Sequence, residues 1–462
     1  MTATPDAPIT QYVAQFSHAT RFGDIPPDVL RLAKKTILDC VGLALAGAQS
    51  DGSVIVRRHL EEMGCASGTA TVFGTAMRAP PRFAALANGN SMHADDFDDT
   101  YHPSRIHPSA AVVAALLADA DHAERTGRDI LTAYNVGVEV SCKVSQAIDG
   151  QHYQRGYHST GTCGTFGAAA AVCNLRRLPV SSVVAALGIA GSSASGLREN
   201  FGTMVKPLHA GRAAENGYVA ASLAALGFTA SPTVLEGVRG FFMAAGGGYD
   251  AQIINGRLGE PWTFAVPGIG IKPFPSGALT HPAMWKLKEL VIEHDIRPEQ
   301  VRRLGIRTNR LLPENLTYHS PVTGLGGKFS MEFCLASILV LRKAGLAEFT
   351  DATVNRADIR AAMAKVAYTS YTDEEAATHA YKRLTSFIDI ELADGRKIAA
   401  RADTAKGDPA NPMSEDEVAG KFRECATFAE WPAARSEKII ETVLNLENVA
   451  KATELTALLR SA

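Results

Sequence analysis

The chain has 462 residues, 46% of them hydrophobic and 20% charged, with a formal net charge of -2 at pH 7. That balance excludes a compositionally disordered chain and supplies no general attraction to nucleic acid or to an anionic membrane. The length exceeds what one simple core usually fills, so two domains are expected.

The N-terminal stretch M-T-A-T-P-D-A-P lacks a basic region leading into an apolar run, so no secretory signal is expected. The longest apolar stretches, at 110–117 and 167–172, are too short for a membrane span. The seven cysteines (40, 65, 142, 163, 173, 334 and 425) are scattered and form no C-x-x-C pair. That pattern argues against a disulfide framework or a cysteine-rich metal site and predicts reduced thiols in a cytoplasmic protein.

Taken in order, a helical pattern opens at Pro26-Pro27, keeps Val29, Ala33, Ile37, Cys40 and Ala44 on one face, and closes at Gly47. Alanine-rich helical segments are then expected at 82–87, 109–123, 129–146, 164–175, 181–195 and 212–226. Near Trp262 the texture changes to A-V-P-G-I-G-I-K-P-F-P-S-G, rich in Gly and Pro. Beyond it, 301–307 and 386–392 alternate like half-buried strands, and Asp394-Gly395 supplies a hairpin turn into 396–399. Helices at 281–294, 331–343 and 354–363 are interleaved, and the chain turns helical again from Glu415. The predicted fold is mainly α: a large all-α helical domain, residues 1–267 with 409–462, and an inserted smaller α+β lid domain, residues 268–408.

The densest chemistry lies in H-A-D-D-F-D-D-T-Y-H-P-S-R-I-H-P-S, His93 to Ser109, flanked by apolar stretches. Ionisable groups gripped between two buried helices acquire shifted pKa values, which makes this segment the leading active-site candidate. Asp95, Asp96 and Asp99 match a magnesium-holding D-D-x-x-D pattern, but no second acidic motif or diphosphate-binding cluster accompanies it. Of the first domain's imidazoles at 93, 102, 107, 152, 158 and 209, His107 and His158 stand out, each beside a helix-breaking turn that opens a small-residue helix. No H-E-x-x-H or similar zinc pattern occurs. Lys206, in M-V-K-P-L-H, and Lys272, in G-I-K-P-F-P, each precede proline in a Gly-containing loop. That setting suits anion recognition or an activated amine. No P-loop or strand-linked G-x-G-x-x-G motif is found, which disfavours nucleotide binding.

Several of these segments occur together, in order: L-D-C-V-G, D-F-D-D-T…H-P-S, G-Y-H-S-T-G-T, F-G-T-M-V-K-P-L-H-A-G, I-K-P-F-P, K-F-S-M-E-F and K-G-D-P-A-N-P-M-S. With them the chain resembles the MmgE/PrpD family over nearly its full length. That family includes 2-methylcitrate dehydratase, cis-aconitate decarboxylase and iminodisuccinate epimerase. The resemblance implies a helical domain with an α+β lid, a homodimer, and chemistry without cofactor or metal on a small di- or tricarboxylate. It implies a catalytic set of Asp96, Thr100, His107, His158, Lys206 and Lys272. Lys206 and Lys272, with His209 and Arg105, would bind substrate carboxylates, and His107 or His158 would move protons under tuning by Asp96. Lyase chemistry, dehydration or decarboxylation, is the leading expectation. Epimerisation is the alternative, and a non-catalytic binding protein the remote one. The loop Y-H-P-S-R-I between Thr100 and His107 is one residue longer than in the animal decarboxylase and carries Arg105. The W-L or Y-L associated with the dehydratases after Thr is absent, and F-G-T-M-V-K-P-L-H is closer to the epimerase.

Overall fold

Alanine, glycine and β-branched residues dominate the N-terminal two-thirds, and they fold as helices that pack close enough to bury even their polar positions. The computed structural model describes residues 8–148, 150–310, 312 and 316–461. It is mainly helical, with a small mixed sheet, and its chain divides into two compact units. The first comprises residues up to Ala94, Asp98–Ile271, and the chain from Ser414 on; the second comprises Asp95–Phe97 and Lys272–Met413. The sequence pattern had suggested boundaries at 267/268 and 408/409, with the acidic segment wholly in the first domain.

In the first unit the helices Ser109–Ala120 and Ser159–Leu175 are buried at every position. Such helices are apolar or small all round rather than striped, which suits the centre of a helical core. The helix Pro81–His93 starts with proline at its first position, where no N–H is needed, and packs against Val205–Ala225. Their approach is set by two glycines: a Cβ on Gly89 would come within 2.9 Å of Gly211 Cα. Only glycine permits that spacing, and it brings the end of one helix, at His93, toward the start of the other, at Lys206 and His209. The C-terminal helix Glu415–Phe428 packs on Pro27–Gly47, where buried Lys421 and Asp39 pair at 2.6 Å. Among the described residues no helix is long and apolar enough to cross a membrane, and none of the cysteines forms a disulfide.

The second unit holds a four-stranded mixed sheet in the order Val366–Tyr371, Val301–Asn309, Ser386–Leu392, Lys397–Ala402. The first pair is parallel, with Leu304 opposite Val366. The other two pairs are antiparallel, with Ile306 opposite Ile388 and Ile388 opposite Ala400. Alternation places Leu304, Ile306, Ile388 and Ile390 in one core with Phe333, Ile338 and Ile359 from helices Met331–Leu341 and Ala357–Met363. Gly395, at φ 91°, makes the turn between the last two strands. The strand Val366–Tyr371 carries no clear sequence signal: it lies at the sheet edge and exposes Thr369 and Ser370.

Candidate active site

The helix Pro81–His93 ends where the charged segment begins, and Ser109 opens the next helix after Pro108. Between them the four D-D-F-D-D carboxylates go to five different partners. Asp95 receives Lys328 Nζ on its carbonyl (2.7 Å) and its carboxylate (3.0 Å). Asp96, in the left-handed region at φ 52°, receives Lys272 Nζ in the same way, at 2.7 Å for both contacts. Asp98 faces imidazoles: His93 Nδ1 lies 2.9 and 2.8 Å from its two oxygens, and His107 Nδ1 lies 3.2 Å from Oδ1. Asp99 accepts from the backbone N–H of Ser109 at 3.3 Å and from its hydroxyl, at the head of a buried chain through Tyr134 to Thr36.

Four imidazoles gather in the first unit, two of them on Asp98. The His93 ring is 4.7 Å from His107 edge-on and 5.7 Å from His158 nearly face-on. His158 lies 6.5 Å from His107 and 5.2 Å from His209, and the Nδ1 atoms of His158 and His209 share a hydrogen bond of 3.0 Å. Each ring is fixed from the backbone outward. His158 caps the helix Ser159–Leu175, and its own N–H donates to Gly196 O at 3.0 Å. The His107 N–H donates to Thr160 Oγ1 at 3.0 Å. Gly196, at φ 141°, lets the chain pass His209, since a Cβ there would sit 3.2 Å from His209 Cγ. Phe201 closes edge-on over His158 at 4.9 Å, and Lys206 Nζ lies 5.5 Å from the centre of the Phe201 ring.

Burial shapes the charges. It pushes His93 and His209 down to about 4, helped for His93 by Lys206 against the pull of Asp98, and for His209 by His93 and Lys206. His158 falls well below its ordinary value for the same reason, with His93, Lys206, His209 and His107 adding to the effect. At neutral pH these three rings are uncharged. Burial pushes the Asp98 carboxyl up, yet His107 and His93 outweigh it and hold the group well below the usual range. Asp99 goes the other way: burial raises it well above that range, with Asp98 and Asp39 adding to the rise. Burial and partners thus push two neighbouring carboxyls in opposite directions, an arrangement suited to acid–base work.

Of the residues expected from sequence, His107, His158, Lys206 and His209 lie together. Lys206 is in the first turn of the helix Val205–Ala225 and not in a loop, because Pro207 fits where no helical N–H is required. Thr100 bridges Gly270 through both backbone groups at 2.8 and 2.9 Å. The half-buried Arg105 guanidinium lies 4.7 Å over the Tyr153 ring, which Arg198 also approaches at 3.7 Å. Lys272 and Asp96 belong to the second unit and pair with each other. The remaining well-placed imidazole, His152, is spent on Thr162 Oγ1 (2.8 Å), Ala245 O (3.2 Å) and a stack on Tyr157.

Sequence reasoning missed Asp98 and did not single out His93. Their signal was a histidine and an aspartate five residues apart across a helix end. With His107 they are the one described group of three whose ligating atoms come within 4.8 Å of one another, so a metal would go there. The donor set argues otherwise: His93 Nδ1, at 2.9 and 2.8 Å from the two oxygens of Asp98, is hydrogen-bonded to that carboxylate, and His107 Nδ1 stands at ion-pair distance, 3.2 Å. The magnesium reading fares no better, since Asp95 and Asp96 are each neutralised by a lysine and Asp99 is bonded to Ser109.

Comparison with known proteins points to one family. The MmgE/PrpD N-terminal domain matches residues 11–254, and the MmgE/PrpD C-terminal domain matches 274–447. The chain belongs to the MmgE/PrpD family. Among curated relatives of this family, cis-aconitate decarboxylase of Homo sapiens is 30% identical over 466 residues, covering 98% of this chain and 94% of the relative. The protein of that name from Mus musculus is 28% identical, covering 98% and 93%. The one from Aspergillus terreus (strain NIH 2624 / FGSC A1156) is 27% identical, covering 98% and 96%.

Proposed function

We propose that this protein is a cofactor-independent lyase that decarboxylates a small tricarboxylate of the cis-aconitate type. The observation that carries this reading is the cluster of His93, His107, His158 and His209, the first two on ionised Asp98, beside Lys206. The full-length similarity to proteins named cis-aconitate decarboxylase supports the substrate class.

Decarboxylation of an unsaturated acid needs two things from a protein. The C–C bond to the departing carboxylate breaks, carbon dioxide leaves, and the electron pair shifts through the double bond to a carbon that must take a proton. A fixed cation beside the remaining carboxylates stabilises that charge, a role assigned here to Lys206. An imidazole nitrogen facing the carbon delivers the proton, a role assigned to His107, once its Nε2 has taken one up, or to His158. Lys272, Asp96, Thr100 and Arg105 are proposed as further site residues on their motifs alone, a homodimer on the family resemblance, and a cytoplasmic location on the scattered cysteines.

A second reading, proton-transfer epimerisation of a dicarboxylate, is favoured by F-G-T-M-V-K-P-L-H and uses the same bases without loss of carbon. NMR in heavy water separates the two. Chelator-treated protein is incubated with cis-aconitate, citrate, 2-methylcitrate or iminodisuccinate, beside His158→Ala. Decarboxylation predicts a product from cis-aconitate with one deuteron on carbon, absent with the variant. Deuterium exchange without loss of carbon dioxide would favour the epimerase, and silence with all four would overturn the substrate assignment.

A further inference from the structure

His93 and His107 approach one carboxylate through the same ring nitrogen. His93 Nδ1 hydrogen-bonds both oxygens of Asp98, and His107 Nδ1 stands at ion-pair distance from Oδ1, 3.2 Å away. Asp98 and His93 are fully buried, and His93 Nε2 has no hydrogen-bond partner among the described residues. These facts together select a tautomer. With the proton on Nε2, His93 would bury an unsatisfied N–H and turn a lone pair toward a carboxylate; with the proton on Nδ1 neither cost arises.

We propose that Asp98 is a positioning residue that fixes both His93 and His107 as Nδ1–H tautomers, so that His107 presents its Nε2 to the substrate. His93 is the second half of the device. By taking both oxygens of Asp98 from inside the core, it prevents the carboxylate from turning away from His107. The ionised state of Asp98 agrees with this arrangement. Lys206, the rings of His158 and His209, the Cys40 thiol and Asp99, whose carboxyl burial pushes up, are also coupled to this cluster. An anion between two imidazoles orients a base in the way the aspartate of a catalytic triad does.

The role of His107 rests on the function proposed above; the tautomer assignment does not, and it can be read without substrate. Protein labelled with 15N-histidine is examined by long-range 1H–15N NMR, with His93→Gln and His107→Gln used to assign the two rings. In the unmodified protein both should show a protonated Nδ1 and a lone pair on Nε2, and an Nε2–H signature for His107 would overturn the proposal outright. Asp98→Asn, whose amide can donate, should convert His107 to the other tautomer. It should lower kcat on the order of 10³- to 10⁴-fold while KM stays within a few-fold. Asp98→Glu should restore the Nδ1–H signature and part of kcat. A variant with unchanged tautomers, or one whose loss falls wholly on KM, would show Asp98 to be structural only. If no substrate is turned over, the NMR result still stands or fails alone.

Discussion

Lys272 closes on Asp96 twice, donating to the main-chain carbonyl and to the carboxylate at 2.7 Å each. Both side chains are nearly fully buried, at 2% and 8% exposure. Removing one partner of such a pair leaves an uncompensated charge, which costs about 3–5 kcal/mol. Lys272→Met is therefore expected to lower the denaturant midpoint strongly. Lys272→Met combined with Asp96→Asn should lose less than the single variant, and equal losses would show the pair to be uncoupled.

The imidazole cluster predicts a dependence of stability on pH. The folded values of His93 and His209, about 4, lie below their ordinary 6.5. Between those values the unfolded chain binds more protons than the folded one, so stability rises with pH across that window. The full contribution is present above 6.5 and is lost as pH falls toward 4. Thermal scans from pH 4.5 to 7.5 should show the melting temperature climbing, with a shallower slope in His209→Asn.

His107 and His158 occupy different positions around the same centre, one tied to Asp98 and the other to His209. Loss of a positioned proton donor or acceptor usually costs about 10²- to 10⁴-fold in rate. His107→Gln and His158→Gln should each fall in that range, with the far-UV circular dichroism of the helical unit retained. A variant with full activity would remove that ring from the proton-transfer step.

Gly196 combines a φ of 141° with a Cβ position 3.2 Å from the His209 ring. An L side chain there strains the backbone by about 1–3 kcal/mol and presses on the ring. Gly196→Ala should lower both the melting temperature and kcat, whereas Gly227→Ala, at φ 91° with open space around it, should affect stability alone.

Much of this was legible before the fold was known, and the exceptions have physical reasons. The helices announce themselves because small residues recur with helical spacing, and Asp394-Gly395 marks the hairpin before any strand is placed. The edge strand Val366–Tyr371 does not, since it pairs in parallel with a partner some 60 residues earlier in the chain. His107, His158, Lys206 and His209 were visible because each sits beside a helix start that glycine or proline marks. D-D-F-D-D, by contrast, offers four equivalent carboxylates to the eye. Only burial and partners distinguish the two held by lysines, the one held by imidazoles and the one bonded to serine.

The contact between His158 and His209 has a consequence of its own. Two uncharged rings joined through their Nδ1 atoms at 3.0 Å have room for a single hydrogen between them. When His158 owns it, the far nitrogen of His158 is a lone pair; when His209 owns it, that nitrogen carries a proton. The pair is a two-position toggle: passing the bridging hydrogen to His209, with one proton taken up at the far nitrogen of His158 and one released from that of His209, turns His158 from acceptor to donor while the net charge of the pair stays the same.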